Sequence, residues 1–209
     1  MDDLFQSLRP AHEEVLEGIT LLSGFADTTA LLADLPAITD VAPFRQMVTP
    51  GGKPISVAVT NCGSLGWTSG RSGYRYRSTD PNTNQPWAPM PVRWTETAKA
   101  AAKLAGYDDY SPNACLINRY LPGNRMTAHQ DKNERNFAHP VVTVSTGLPA
   151  EFLIWGAERA GSPISVPVYD GDVMIMGGAA RLHYHGVKTL KPDPAGKRAN
   201  RISLTFRNA

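Results

Sequence analysis

A chain of 209 residues, 42% apolar and 19% charged, suits one ordinary globular domain with a core of its own and excludes a disordered polymer. No apolar run reaches membrane-helix length, the opening MDDLFQSLRP lacks a secretory signal's basic and apolar regions, and Cys62 and Cys115 are too few for a disulfide framework or thiolate zinc site; a cytoplasmic protein with no membrane partner is expected. The net charge of +2 is uneven: between Asp40 and Asp80 stand Arg45, Lys53, Arg71, Arg75 and Arg77 and no acid, so that segment carries +5 and the remainder −3 (2 − 5).

Such a local basic stretch predicts either a phosphate-bearing partner or a merely solvated face. In chain order, GITLLSGF reads as a strand, and a short helix starts at Asp27 or Thr28, both good capping residues. Pro36 argues against a helix running unbroken to Asp40. Residues 44–79 read as hairpins: RQMVT, a turn at TPGG, PISVAVT and YRYRS, punctuated by Gly63, Gly66, Gly70 and Gly73. A proline-rich connector, TDPNTNQPWAPMP, leads to an alanine-rich helix, PVRWTETAKAAAKLAG, with Pro91 in its first turn and Gly106 at its end.

From Ala114 the pattern is β: ACLINRYL, VVTVS, AEFLIWG, ISVPV, DVMIM, RLHYHGV and RISLTFR, with YDGD expected to turn a hairpin at Asp170–Gly171. Many short strands with little helix predict a mainly β chain, with a jelly roll the leading architecture.

Residues i and i+2 of an extended segment point the same way, so His129 and Asp131 in MTAHQDKNERN can offer a nitrogen and an oxygen to one point. RLHYHGV supplies His183 and His185, and nothing in the spacing chooses between them. Two histidines, one carboxylate and open positions form the facial triad of non-haem Fe(II). Taken alone, His-x-Asp is better explained by a hydrogen-bonded surface pair. In RISLTFR, Ile202, Leu204 and Phe206 alternate with Arg201, Ser203, Thr205 and Arg207, and arginine's planar fork suits a carboxylate. The two arginines are six residues apart, about 20 Å in a flat strand, which is long for gripping one small acid. The alternative is a charged edge strand. Leu116, Asn118 and Tyr120 share a face in the same way, as hydrogen-bonding partners of a co-substrate or as a buried structural pair.

With these residues in view, the chain resembles the AlkB family of Fe(II)/2-oxoglutarate-dependent nucleic-acid dealkylases. The motifs FRQMVTPGG, TNCGSLGW, CLINRY, HQDK, GLPA, RLHYHG and LTFR carry the resemblance over most of the chain. It implies a mainly β fold with an α+β periphery: a double-stranded β-helix (jelly-roll) core, N-terminal helices and a β-hairpin nucleotide-recognition lid. Residues 1–43 would be an extension packed on the core, 44–79 the lid, 80–110 connector and helix, and 111–209 the dioxygenase core, all in one compact domain.

By resemblance, His129, Asp131 and His185 are the iron ligands. Asn118, Tyr120, Arg201, Ser203 and Arg207 bind 2-oxoglutarate, Arg201 at its far carboxylate and Arg207 on the iron side. Trp67 stacks on the damaged base opposite the His129 ring, while Tyr74, Arg75, Tyr76, Asn133 and Arg159 contact nucleic acid. Ordinary core packing is the alternative for Trp67. The implied reaction consumes O2 and 2-oxoglutarate, yields succinate and CO2, and hydroxylates an N-methyl group whose hemiaminal releases formaldehyde. N1-methyladenine and N3-methylcytosine in DNA, with RNA as a further target, are the implied lesions, and a monomer is implied.

Some positions depart from the family pattern. Asn133 stands where aspartate is common and Ser203 where asparagine is common, and Val59 and Met176 replace larger or different groups. They bear on substrate preference and leave the reaction class alone. Two other readings compete: an oxygenase of modified tRNA, protein or a small molecule, and a non-catalytic jelly-roll module that binds nucleic acid.

Overall fold

The computed structural model describes residues 8–209, and two stacked sheets dominate it. Their strands are β1 (His12–Leu16), β2 (Ile19–Leu22), β3 (Arg45–Val48), β4 (Pro54–Gly63), β5 (Gly66–Gly70), β6 (Gly73–Arg77) and β7 (Ala114–Tyr120). They continue with β8 (Met126–His129), β9 (Val141–Gly147), β10 (Ala150–Gly156), β11 (Ile164–Val168), β12 (Val173–Met176), β13 (Tyr184–Val187) and β14 (Arg201–Arg207). The larger sheet runs β1-β2-β12-β9-β14-β7-β4-β3, the smaller β11-β10-β13-β8, and β5-β6 forms a separate two-stranded ribbon. This is the expected jelly roll. Of residues 44–79, β3 and β4 are built into the larger sheet and β5–β6 projects from it as the ribbon.

Three helices cover the outer face of the larger sheet. α1 (Thr28–Leu32) is capped by Asp27, whose carboxylate accepts from the Ala30 amide at 3.0 Å. Pro36 lies in the first turn of α2 (Leu35–Val41), so the chain breaks into two helices before it, at Ala33–Asp34. α3 (Val92–Leu104) follows Pro91 and closes at Gly106, whose φ of +87° is the left-handed value glycine adopts freely. Trp94, Ala98 and Ala102 of α3 pack on Ile117, Val142, Val144, Leu204 and Phe206, and the Trp94 indole donates to the Leu31 carbonyl at 2.9 Å.

Between the sheets lies a second core, in which Leu116, Tyr120, Val59, Met174 and Met176 meet Phe152, Ile154, Val166 and Val187. Strand β14 divides its residues between the two: Ile202, Leu204 and Phe206 join the helix-side core, and the opposite side carries Arg201, Ser203, Thr205 and Arg207. All seven are buried because β14 is paired on both sides, by β7 and β9. It is no edge strand.

One turn differs from expectation. Asp170–Gly171 does not close a hairpin, because β11 pairs with β10 in the smaller sheet while β12 pairs with β9 and β2 in the larger. Local turn chemistry fixes the bend but not the partner. The Asp170 carboxylate is fully used at this crossover, accepting from the Gly147 amide at 2.8 Å and the Thr28 hydroxyl at 3.1 Å. Strands β1, β5 and β8 also lie outside the expected set; β1 and β8 are mostly solvent-exposed or half-buried with little apolar alternation, and β5 is bounded by Gly66 and Gly70.

Asp172, next in the crossover, has no exposed surface. It accepts from both Arg9 amino groups at 2.6 and 2.8 Å and from the amides of Gly24 and Tyr169 at 2.9 and 2.8 Å. Removing the carboxylate strands all these donors, so Asp172→Ala is expected to lower the unfolding free energy by about 3 kcal/mol or more. In the same urea titration Lys103→Ala, on the surface, should change it by less than about 0.5 kcal/mol.

Candidate active site

The site sits where the two sheets open on each other, and its residues come from adjacent register positions. His185 on β13 lies directly across from His129 at the end of β8. The strands approach closely there because Gly186 has no Cβ; one added would stand 2.6 Å from the Met126 carbonyl oxygen. Asp131 follows β8 by two residues. Ligand atoms of His129, Asp131 and His185 all lie within 4.8 Å of one another. His129 Nε2 is 3.9 Å from Asp131 Oδ1, and His185 Nε2 is 3.8 Å from Oδ2.

Both imidazoles are held from behind. His129 Nδ1 lies 3.0 Å from the Thr127 carbonyl, and His185 Nδ1 lies 3.0 Å from the His183 carbonyl. A carbonyl only accepts, so each Nδ1 carries the proton and each Nε2 presents a lone pair to the shared point. Phe152 stacks on His185 with centroids 5.6 Å apart. The geometry thus selects His185 over His183, whose backbone serves as the anchor instead. Two imidazoles and a carboxylate converging on one point, three donors in all, suit a divalent first-row metal that keeps positions free for other ligands.

Electrostatics prepare this set. Burial pushes the Asp131 carboxyl up, but the Arg207 guanidinium and the two histidines outweigh it and hold it well below the usual carboxylate range. Arg207 Nη2 donates to Asp131 Oδ2 at 2.8 Å. Burial, reinforced by the neighbouring His129, pushes His185 down to about 4 against the pull of Asp131, so its ring is a neutral ligand at physiological pH.

Beyond Asp131, the inner side of β14 forms a polar trough with β7 and β9. Arg201, 1% exposed, is paired across the sheet with Tyr120, and Ser203 lies between Asn118 and Ser145. Arg201 Nη2 donates to the Ser145 hydroxyl at 2.9 Å, and its guanidinium lies 5.0 Å from the Tyr120 ring centre. Its Nε and Nη1, and the Asn118 side-chain oxygen, are buried without a hydrogen-bond partner among the described residues. Buried guanidinium donors left open are costly unless an anion completes them, and a carboxylate matches their fork. Arg201 and Arg207 therefore do not grip one point. They mark the two ends of the trough, which resolves the six-residue spacing.

The ribbon β5–β6 is anchored at its root. The buried Asn61 side chain bonds both the amide and the carbonyl of Trp67, at 2.9 and 3.0 Å. Gly66 lies against the Trp87 ring, where a Cβ would come within 2.3 Å, and Trp87 Nε1 donates to the Arg77 carbonyl. Trp67 is half-buried and stacks on Tyr74, with centroids 5.4 Å apart. Arg71, Arg75 and Arg77 are exposed, as are Asn133 and Arg159. Arg45 is spent structurally, bound to Asp80 at 2.6 Å, so one charge of the basic stretch does not face solvent freely. Tyr76 is also engaged: its hydroxyl donates to Glu134 at 2.5 Å, and burial keeps that phenol protonated far above its ordinary range. Val59 and Met176 are buried between the sheets, Val59 across from Asn118.

Three residues of the site escaped the sequence reading. Glu134 and Arg181 are buried beside Asp131, and Ser145 holds Arg201. Only Ser145 had a signal, through its alternation within VVTVS.

Comparison with known proteins agrees with this geometry. The family model of the 2OG-Fe(II) oxygenase superfamily matches residues 18–207. The alpha-ketoglutarate-dependent dioxygenase AlkB of Escherichia coli (strain K12) is 45% identical over 212 residues, covering 100% of this chain and 98% of the relative. The human nucleic acid dioxygenase ALKBH1 is 29% identical over 126 residues, 60% of this chain and 32% of that protein. The structure of OsALKBH1 superposes with a TM-score of 0.81 at 25% identity, covering 95% of this chain and all of that one. A jelly roll with converging His, Asp and His donors is thus that of a 2-oxoglutarate oxygenase using Fe(II) and O2. Within that class, the chain belongs to the AlkB family of dioxygenases.

The depressed His185 has a consequence for the metal-free protein. The unfolded histidine titrates near 6.5 and the folded one near 4, so between these values the unfolded state binds the extra proton. Stability should therefore fall as the pH drops from about 6.5 toward 4. With chelator present, urea midpoints should decline less steeply over that window in His185→Gln than in the wild type.

Proposed function

We propose that this dioxygenase removes methyl groups from base nitrogens of nucleic acid, N1-methyladenine and N3-methylcytosine in DNA and also in RNA, acting as a cytoplasmic monomer. His129, Asp131 and His185 hold Fe(II). Asn118, Tyr120, Ser203, Arg201 and Arg207 hold 2-oxoglutarate, with Arg201 at the distal carboxylate. One observation carries the reading: three potential metal donors stand at one end of a buried polar trough whose other end is a guanidinium lacking an anion among the described residues, with a basic, aromatic ribbon tied to the donor end through Tyr76 and Glu134.

The bound metal, with O2 and 2-oxoglutarate, supplies the oxidising power for hydroxylating the methyl carbon; formaldehyde then leaves and the base is restored. The protein supplies the geometry. The fixed Nδ1 protons keep both imidazoles aimed inward, and Arg207 keeps Asp131 ionised. Trp67 and the His129 ring flank the base. Extracting it from its stack costs a few kcal/mol, and aromatic stacking returns about 1–3 kcal/mol. A lesion that blocks pairing lowers the first cost. Tyr74, Arg75, Tyr76, Asn133 and Arg159 contact the base and its flanking phosphates. Because Tyr76 is bound to Glu134, its contact comes from the ring or after that bond rearranges. Asn133, neutral and exposed, hydrogen-bonds an amino group without attracting a cationic base.

Incubation with single-stranded oligonucleotides bearing either lesion should release formaldehyde only with Fe(II) and 2-oxoglutarate. No turnover of either lesion contradicts the proposal. Replacing Arg71, Arg75 and Arg77 together by Glu should weaken oligonucleotide binding by about tenfold or more at low salt and flatten its salt dependence. Binding and turnover indifferent to that change would point to a substrate other than nucleic acid.

A further inference from the structure

Behind the metal donors lies a cluster of ionised groups larger than ligand binding needs. Glu134, 6% exposed, is three residues beyond Asp131 in an irregular loop. Its Oε2 accepts from Arg181 Nη2 at 3.2 Å, and its Oε1 accepts from the Tyr76 hydroxyl. Arg207 Nε lies 3.3 Å from the same Oε1, an ion pair whose alignment is not that of a hydrogen bond. Arg181 is itself fixed, donating to the Asp131 carbonyl at 2.7 Å and the His139 carbonyl at 3.0 Å.

The charges decide what this arrangement does. Asp131 and Glu134 are two anions, and Arg181 and Arg207 are two cations, all with side chains at most 11% exposed. The four cancel before any metal arrives. Without Glu134, two guanidinium groups would face a lone carboxylate that must also accept a divalent cation, and burial would leave their repulsion weakly screened. Arg207 would also lose its second anion and be free to close fully on Asp131, occupying the oxygens a metal needs.

We infer that Glu134 is a positioning residue of the metal centre: it neutralises Arg181 and shares Arg207 with Asp131, leaving the Asp131 carboxylate available to a divalent cation. The inference rests on the metal assignment to His129, Asp131 and His185. Its consequence concerns metal retention, apart from turnover. The Tyr76 bond makes the ribbon strand β6 part of the same cluster, so the neutralising residue is held in place from the lid side as well.

Mn(II) binding to the full chain, followed by the loss of the free-ion electron paramagnetic signal, tests this without activity. Glu134→Gln keeps size and one accepting oxygen for Arg181, turns the other position into a donor toward the Tyr76 oxygen and removes the charge, and should raise the dissociation constant about tenfold or more; Glu134→Asp keeps the charge and should stay within about threefold of wild type. The Co(II) visible spectrum should change in the Gln variant and persist in the Asp variant. Equal weakening by both variants would make the role one of shape and overturn the inference, as would wild-type binding by Glu134→Gln. If Glu134→Gln does not fold, Arg181→Gln makes the opposite change of charge and should lower the dissociation constant; a rise there overturns the inference. A wild-type chain that binds no Mn(II) sinks the metal assignment and this inference with it, whereas an unaffected Gln variant sinks this inference alone.

Discussion

The pairing of Asp131 with Arg207 is the interaction on which the site depends. A carboxylate this deeply enclosed would otherwise take up a proton and lose its value as a metal ligand. Arg207 keeps it ionised from one side while two imidazoles face it from the other, His185 discharged by burial and both rings held through Nδ1 by backbone carbonyls. The same guanidinium cannot also reach the far end of the trough, where Arg201 keeps two donors without a partner among the described residues.

That division follows directly from strand geometry. Alternation along β14 sends Arg201, Ser203, Thr205 and Arg207 to one side and Ile202, Leu204 and Phe206 to the other, and pairing on both sides buries them all. Register does the rest: it sets Tyr120 beside Arg201, Asn118 beside Ser203, and His129 opposite His185. A slip of one residue in β14 would turn the arginines into the helix-side core and three apolar side chains into the trough. The β14 residues are thus held by a strand paired on both sides, while His129 ends the edge strand β8, Asp131 lies in the loop after it, and the ribbon β5–β6 pairs only with itself.

Much of this was readable from local pattern. The strand alternation of RISLTFR and LINRY, the capping by Asp27, the break before Pro36 and the helix after Pro91 are all short-range signals with short-range causes. His129 and Asp131 were legible through their spacing. Spacing left His183 and His185 open and the family resemblance chose His185; the pairing of β13 with β8 gives the physical reason, since it sets which ring turns toward His129. The partner of the Asp170–Gly171 turn was hidden for the same reason: a turn reports its own bend and not the sheet its strands join. Glu134 and Arg181 stayed invisible because nothing local marks an ion pair between residues 47 positions apart. The basic stretch was overcounted, since Arg45 has a buried partner just past the segment's end.

In the proposed site a cation sits at one end of the trough and a dicarboxylate runs from it to Arg201 at the other. A crystal structure of the chain grown with Mn(II) and 2-oxoglutarate in the absence of O2 addresses it most directly. The predicted result has the metal on His129, Asp131 and His185 and the distal carboxylate completing the open Nε and Nη1 donors of Arg201. A metal bound elsewhere, or a 2-oxoglutarate that leaves the Arg201 donors unpaired, would contradict it.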